Sequence, residues 1–153
     1  MIMAEEISAE LTEKLVKRLN GEQYVLLATV DEQTGTPVIN AVSWVYAPDG
    51  KHIRFAVGHR SRMIANIKAK PEVSLTMIGP DSTYSVLGKA QVTHEPLEGA
   101  KIKLAGIELE VEAVQDVMFF GGKIVEEPRY IKTYDKEAAD KLDRQVTEAL
   151  KKM

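Results

Sequence analysis

The chain has 153 residues, 44% hydrophobic and 28% charged, the proportions of an ordinary globular protein with one sizeable core. Its formal net charge of −3 argues against non-specific nucleic-acid binding as a main role, so its basic residues must act in local clusters. It contains no cysteine, which removes disulfides, thiolate catalysis and cysteine-ligated metals and fits a reducing cytosol.

The chain opens on M-I-M-A-E-E-I, too acidic and too short for a signal peptide. No later apolar run approaches the ~20 residues that span a bilayer. These features predict a cytoplasmic, single-domain protein over 1–153 that binds neither membrane nor nucleic acid. Residues 8–20 read as a helix, with Ser8 as its cap and Leu11, Leu15, Val16 and Leu19 as one apolar stripe. Lys17 and Arg18 suit its last turns, and Gly21 suits the position just past its end.

Tyr24 to Val30, Y-V-L-L-A-T-V, is a nearly continuous apolar run and predicts a buried strand. D-E-Q-T-G-T-P is a turn. Val38 to Tyr46 is a second strand of β-branched and aromatic residues. A-P-D-G turns the chain again before a third strand, His52 to Val57. Gly58 breaks that strand, and a short helix follows with Ser61 as its cap, Met63, Ile64 and Ile67 at helical spacing, and an end before Pro71. Glu72 to Ile78 and Thr83 to His94 are strands four and five, the latter with Gly88 at a predicted bulge or bend. Ile107 to Val117 is strand six. Its Ile107, Leu109, Val111 and Ala113 fall on one face and Glu108, Glu110 and Glu112 on the other; Ile102 and Leu104 are candidates to extend it backwards. Phe119-Phe120-Gly121-Gly122 is an aromatic pair beside a flexible pair. Residues 135–152 form a closing amphipathic helix capped by Asp135, with Leu142, Val146, Ala149 and Leu150 on its apolar face. The strand spacing excludes a parallel βαβ sheet. It predicts a mainly β fold, a six-stranded antiparallel split β-barrel over 24–117 with flanking helices at 8–20 and 135–152.

Little catalytic chemistry is written in this pattern. No G-x-S-x-G elbow surrounds any serine, and neither a P-loop nor a G-x-G-x-x-G is present. His52, His59 and His94 share no metal-ligand spacing, so no metal site and no catalytic residue is assigned. What stands out is His59-Arg60-Ser61-Arg62. Guanidinium forks at the start of a helix, whose free N–H groups and dipole already attract anions, make sense with a phosphate seated on them. From these four residues alone a capped surface helix with its arginines paired to nearby acids is the other reading. Trp44, the only tryptophan, is either a core or interface aromatic or a wall for a planar ligand, and Phe119 and Phe120 carry the same two readings.

Four segments in this order resemble one family. Y-V-L-L-A-T-V-D with T-G-T-P-V-I-N-A-V-S-W looks like its opening hairpin, R-F-A-V-G-H-R-S-R-M-I-A-N-I like its phosphate segment, K-P-E-V-S-L-T like the strand after it, and S-V-L-G-K-A-Q-V like the next strand with its mid-strand glycine. The sequence is thereby similar to the pyridoxamine 5′-phosphate oxidase-related, FMN-binding split-barrel family. The resemblance implies FMN as cofactor and a homodimer that holds it at the subunit interface. Ser61 and Arg62 match the phosphate-binding Ser-Arg. Asn40, Ala41, Val42, Ser43 and Trp44 match the strand along the flavin and ribityl chain, and Ala56 and Val57 the strand end beside it. Thr83 stands where the oxidases often carry a glutamine facing the cofactor.

Met63 replaces the lysine that usually follows Ser-Arg, and Arg60 is the residue placed to supply that charge. No basic Arg-x-His segment of the kind that holds pyridoxamine phosphate precedes the C-terminus, where Pro128-Arg129-Tyr130 stands, and Trp44 takes the place of a substrate-facing lysine. The implied function is an FMN-dependent oxidoreductase of a different substrate. Two alternatives are a non-catalytic flavin-binding or stress-related protein and the same barrel using deazaflavin or haem.

Overall fold

Short apolar runs punctuated by Gly, Pro and Asp give a fold dominated by strands. The computed structural model describes residues 5–153. In chain order it comprises β1 (Glu5–Ser8), α1 (Glu13–Arg18), β2 (Asn20–Val30), β3 (Pro37–Tyr46), β4 (His52–Gly58), α2 (Arg62–Ala69), β5 (Glu72–Ile78), β6 (Thr83–His94), β7 (Leu104–Asp116) and α3 (Lys136–Lys151). The sheet runs β1-β7-β4-β3-β2-β5-β6, and β6 pairs back onto β7. Every pairing is antiparallel. Six strands therefore close into the expected barrel, with β1 as an additional strand on β7.

β7 makes closure possible because both its edges are used. It pairs with β6 along nearly its whole length. On its other edge, residues 104–110 pair with β4 and 114–116 with β1. The barrel interior is filled by Val25, Leu27, Val45, Ile53, Phe55, Leu75, Met77, Val86, Ile107 and Leu109, and α2 plugs into it through Met63, Ile64 and Ile67. A separate apolar cluster lies on the outside under α3, built from Ala56, Leu97, Leu104, Val146, Ala149 and Leu150, with Trp44, Tyr46 and Leu142 packed against it.

The barrel is split at one seam. β3 and β4 share only two residue pairs, Val45↔Phe55 and Tyr46↔Arg54, although the strands are 10 and 7 residues long. Below that point the strands diverge. Residues 37–44 of β3 have no ladder partner on the β4 side, while β4 turns to β7.

Three sequence expectations need correction. The first helix does not span 8–20. Residues 5–8 instead take the free edge of β7, and Thr12, not Ser8, caps the shorter α1, its Oγ1 accepting from Leu15 N–H at 3.4 Å. Ser8 is drawn into the pairing with β7, Leu11 N–H donates to Gly50 O at 2.8 Å, and Asn20 opens β2, so the helix is cut short at both ends. The strand expected at Tyr24 starts at Asn20, so Gly21 (φ +115°) opens β2 rather than ending a helix. On β7, the register shift opposite Leu87/Gly88 moves the inward series from Val111 to Val114 and leaves Ala113 half-buried; Leu104 does extend the strand and Ile102 does not. The bulge falls at Gly88 because an added Cβ there would meet the Glu110 carbonyl of β7. The capped α2, β5, β6 and the Asp135-capped α3 lie where the pattern puts them. Residues 1–4 of the single-domain span lie outside the described residues. No helix among the described residues is long and apolar enough to cross a membrane.

Candidate cofactor site

The segment between β4 and α2 is built by short-range contacts. Gly58 ends β4 opposite Leu104. The backbone N–H of His59 and its Nδ1 both reach the Lys103 carbonyl at 3.1 Å, so this Nδ1 carries the proton and the ring is tied to β7. Ser61 N–H closes a turn onto Gly58 O at 2.9 Å. Ser61 Oγ then accepts from Met63 N–H at 3.2 Å as the α2 cap, leaving its own O–H free to donate outward. α2 is fixed from below by buried Asn66, whose Nδ2 donates to Thr29 Oγ1 at 3.1 Å and whose Oδ1 accepts from Glu32 N–H at 3.0 Å.

Two guanidiniums stand at this helix start. Arg60 is exposed and joins none of the ion pairs among the described residues. Arg62 is also exposed, and its Nη2 lies 3.2 Å from Asp31 Oδ2. The N–H groups of Thr34 and Gln33 hold the Asp31 carboxyl below its ordinary value, with a smaller contribution from Arg62. α2 has no acid in its first turn. The positive end of its dipole, the Ser61 hydroxyl and two arginines form a donor set suited to a singly esterified phosphate. Among the described residues Asp31 is the one acid paired with these arginines, and the sequence reading missed this neighbour. Its signal was an Asp at the head of a D-E-Q-T-G turn, where Asp binds its own backbone two or three residues on.

The remaining residues divide by orientation. Asn40 and Ala41 are exposed on the part of β3 that pairs with β2 but has no partner on its β4 side. Val42 and Val57 point into the barrel core, so only their backbones face a ligand in the seam. Ser43 is half-buried. Trp44 and Ala56 lie together under α3. The Trp44 indole Nε1–H donates to Asp143 Oδ1 at 2.8 Å. Lys132 Nζ sits 5.8 Å from the Trp44 ring centroid and bridges Asp143 Oδ1 (3.1 Å) to Glu22 Oε2 (2.7 Å). Burial alone would lower the Lys132 ammonium; the hydrogen bonds and charges of Glu22 and Asp143 outweigh it and raise its pKa above the ordinary lysine value. Sequence reading missed this cluster, which joins Glu22 and Trp44 of the first strands to Lys132 and Asp143 near the C-terminal helix.

Thr83 is not beside Ser61. It opens β6 and pairs with Ile78, while α2 leads into the opposite end of β5 and His94 closes β6 beside Gly106. Glu72, where α2 leads into β5, pairs with Lys89, six residues along β6 from Thr83, which at ~3.3 Å per residue puts Thr83 about 20 Å from that end of the sheet. Its Oγ1 lies 3.5 Å from Met118 Sδ. It lines an outer groove of about 600 Å³ with Leu26, Thr76, Ile78, Met118 and Phe119. Among the described residues no group of three or more His, Asp or Glu is arranged to hold a metal.

The sequence assigns this split barrel to a family. The family model for pyridoxamine 5′-phosphate oxidase matches residues 11–118, well over half of the chain. The chain belongs to the pyridoxamine 5′-phosphate oxidase family. Among solved structures it is similar to a candidate pyridoxamine 5′-phosphate oxidase from Lactobacillus delbrueckii (25% identity, covering 73% of this chain and 98% of that one, TM-score 0.60). It is also similar to HupZ of Group A Streptococcus (18%, 76% and 99%, TM-score 0.58) and to an F420 reductase (26%, 64% and 93%, TM-score 0.50). No curated protein matches it in sequence.

Proposed function

We propose that this chain is an FMN-binding oxidoreductase whose substrate is not pyridoxamine 5′-phosphate. The observation that carries the reading is the start of α2: a Ser61 cap, an outward hydroxyl, no acid in the first turn, and Arg60 and Arg62 beside it, at the mouth of the β3/β4 seam. FMN supplies the hydride or electron chemistry when bound. The chain's own part is to hold the phosphate through Ser61, Arg62 and Arg60, and to present the backbone of residues 40–43 and the end of β4 to the ribityl chain and ring. Met63 is buried in the barrel core and offers the phosphate no charge, which leaves Arg60 as the second cation.

The reading includes a homodimer. Thr83 lies at the end of β6 away from α2, and in this reading a second copy brings it to the flavin. Exposed Ile39 and Phe119, with the groove of uncharged residues around Thr83, provide the apolar surface for that contact. Phe120 adds to it, whereas Trp44 is already engaged by α3.

The likeness to an F420 reductase favours a second reading, in which the barrel takes a deazaflavin. Two arginines and one helix start match one phosphate better than a long polyanionic tail. Parallel titrations with FMN, riboflavin and F420 test both. The proposal expects FMN to bind well above riboflavin, because the phosphate is the anchor. Equal affinity for FMN and riboflavin, or preference for F420, contradicts it. Steady oxidation of a reduced nicotinamide with FMN and an electron acceptor separates an enzyme from a flavin-binding protein without turnover.

A further inference from the structure

The connection from β7 to α3 is held unlike the rest of the molecule. From residue 117 to 135 no residue is buried, and Phe119, Phe120, Val125 and Ile131 are exposed. Polar contacts hold it. Ile124 N–H donates to Asp81 O at 2.7 Å, Glu127 pairs with Arg18, and Lys132 bridges Glu22 on β2 to Asp143 on α3. α3 buries Ala139, Val146, Ala149 and Leu150, mostly in the outer cluster rather than in the barrel core. The family match ends at residue 118, where this connection begins. Beneath α3 lie Trp44 and Ala56, two of the residues assigned above to the cofactor strand and strand end.

The strap, with no buried residue and with water-exchangeable polar anchors, is the kind of segment that opens without global unfolding, whereas α3 is held by its apolar face and by Arg54 Nη1 donating to the Leu150 and Lys151 carbonyls. The Phe119-Phe120-Gly121-Gly122 stretch supplies a pivot, with Gly121 already at φ +84°. Lys132 is the natural latch. With it gone, Glu22 and Asp143 lose their shared cation and α3 loses its charged link to β2.

We infer that the connecting strap and α3 form a cover that opens as one unit about Gly121-Gly122 and closes through Lys132, and that its opening exposes Trp44 and Ala56 to a planar ligand. The identity of that ligand as a flavin rests on the function proposed above; the opening itself does not. Trp44 is half-buried, and opening the cover gives up its Asp143 and Lys132 contacts and bares the rest of the ring.

The test is amide hydrogen exchange of the full chain read by mass spectrometry, comparing wild type with Lys132→Met and Asp143→Asn, together with acrylamide quenching of Trp44 fluorescence. The cover predicts that the strap and α3 exchange together and faster than β2, β6 and β7. It predicts that Lys132→Met accelerates both by roughly tenfold while the barrel strands stay unchanged. Asp143→Asn, which keeps an acceptor for the indole, should fall between. Quenching of Trp44 should rise in the same order. Protection of α3 equal to that of β7, with all segments responding alike to either substitution, would overturn the cover. In stopped-flow mixing, FMN should bind several-fold faster to Lys132→Met than to wild type. Equal binding rates would overturn the link to the site. If no variant binds FMN, the flavin reading falls, and exchange still decides whether the cover exists.

Discussion

Trp44 and Asp143 are joined by a 2.8 Å hydrogen bond that spans 99 positions of sequence and ties β3 to α3. The bond settles which way the lone tryptophan faces: its ring is a platform for the C-terminal helix, with the Lys132 ammonium alongside. Trp44→Phe keeps most of the packing and removes the N–H. Asp143 retains Lys132 as partner, so the loss should be that of one hydrogen bond to a charged group, about 1.5–3 kcal/mol. Urea unfolding followed by circular dichroism reads it. A change within ±0.3 kcal/mol, the scale of an ordinary surface substitution of about half a kcal/mol or less, would contradict the assignment.

Gly88 is the point at which β6 lies too close to β7 for any side chain, because an added Cβ meets the Glu110 carbonyl. Backbone cannot yield there as a flexible side chain could. Gly88→Ala should cost on the order of 3 kcal/mol, the upper part of the range for overpacking. Thermal and urea unfolding check this. A wild-type midpoint would mean that the bulge adjusts freely.

Alkaline pH should loosen the strap before the barrel. The folded pKa of Lys132 lies above its ordinary 10.5, so its contribution is complete below that value and is lost as pH rises through the raised one. Tyr130 acts with the same sign, its phenol raised above 10.0 by burial and then by Glu22. Trp44 emission should therefore begin to change above about pH 10, ahead of barrel circular dichroism, and Lys132→Met should blunt that early change. Simultaneous loss of both signals would contradict the prediction.

Asp31 and the proposed phosphate compete for Arg62. Asp31→Asn keeps an acceptor for the Gln33 and Thr34 N–H groups and removes the negative charge 3.2 Å from the guanidinium. FMN affinity should rise by about two- to fivefold, the modest scale of an exposed ion pair. Isothermal titration calorimetry reads it, and a fall in affinity would mean that Asp31 supports the site instead of opposing it.

The barrel was legible because each strand carries its own period and each turn its own breakers: β5 and β6 are readable from Pro71, the Gly79-Pro80-Asp81 turn and Gly88 alone. The first helix was read too long because its ends are set by distant partners: Ser8 pairs with Val114, Leu11 N–H donates to Gly50 O, and Asn20 joins β2. The capped start of α2 with its two arginines was legible because the cap, the helix and the arginines are contiguous in sequence. Asp31 beside Arg62 and the Lys132 bridge were not, since each joins residues whose proximity exists only after closure. Thr83, placed by the resemblance alone, lies at the opposite end of β6 from Lys89 and α2, a separation that strand order in the sequence does not reveal.

The most direct test is a calorimetric FMN titration of the purified chain beside Arg62→Ala. The account predicts saturable binding to the wild type, weakened in the variant by about 1.5–3 kcal/mol, the value of one charge-assisted hydrogen bond. Unchanged affinity in Arg62→Ala, or no binding by the wild type, would contradict it.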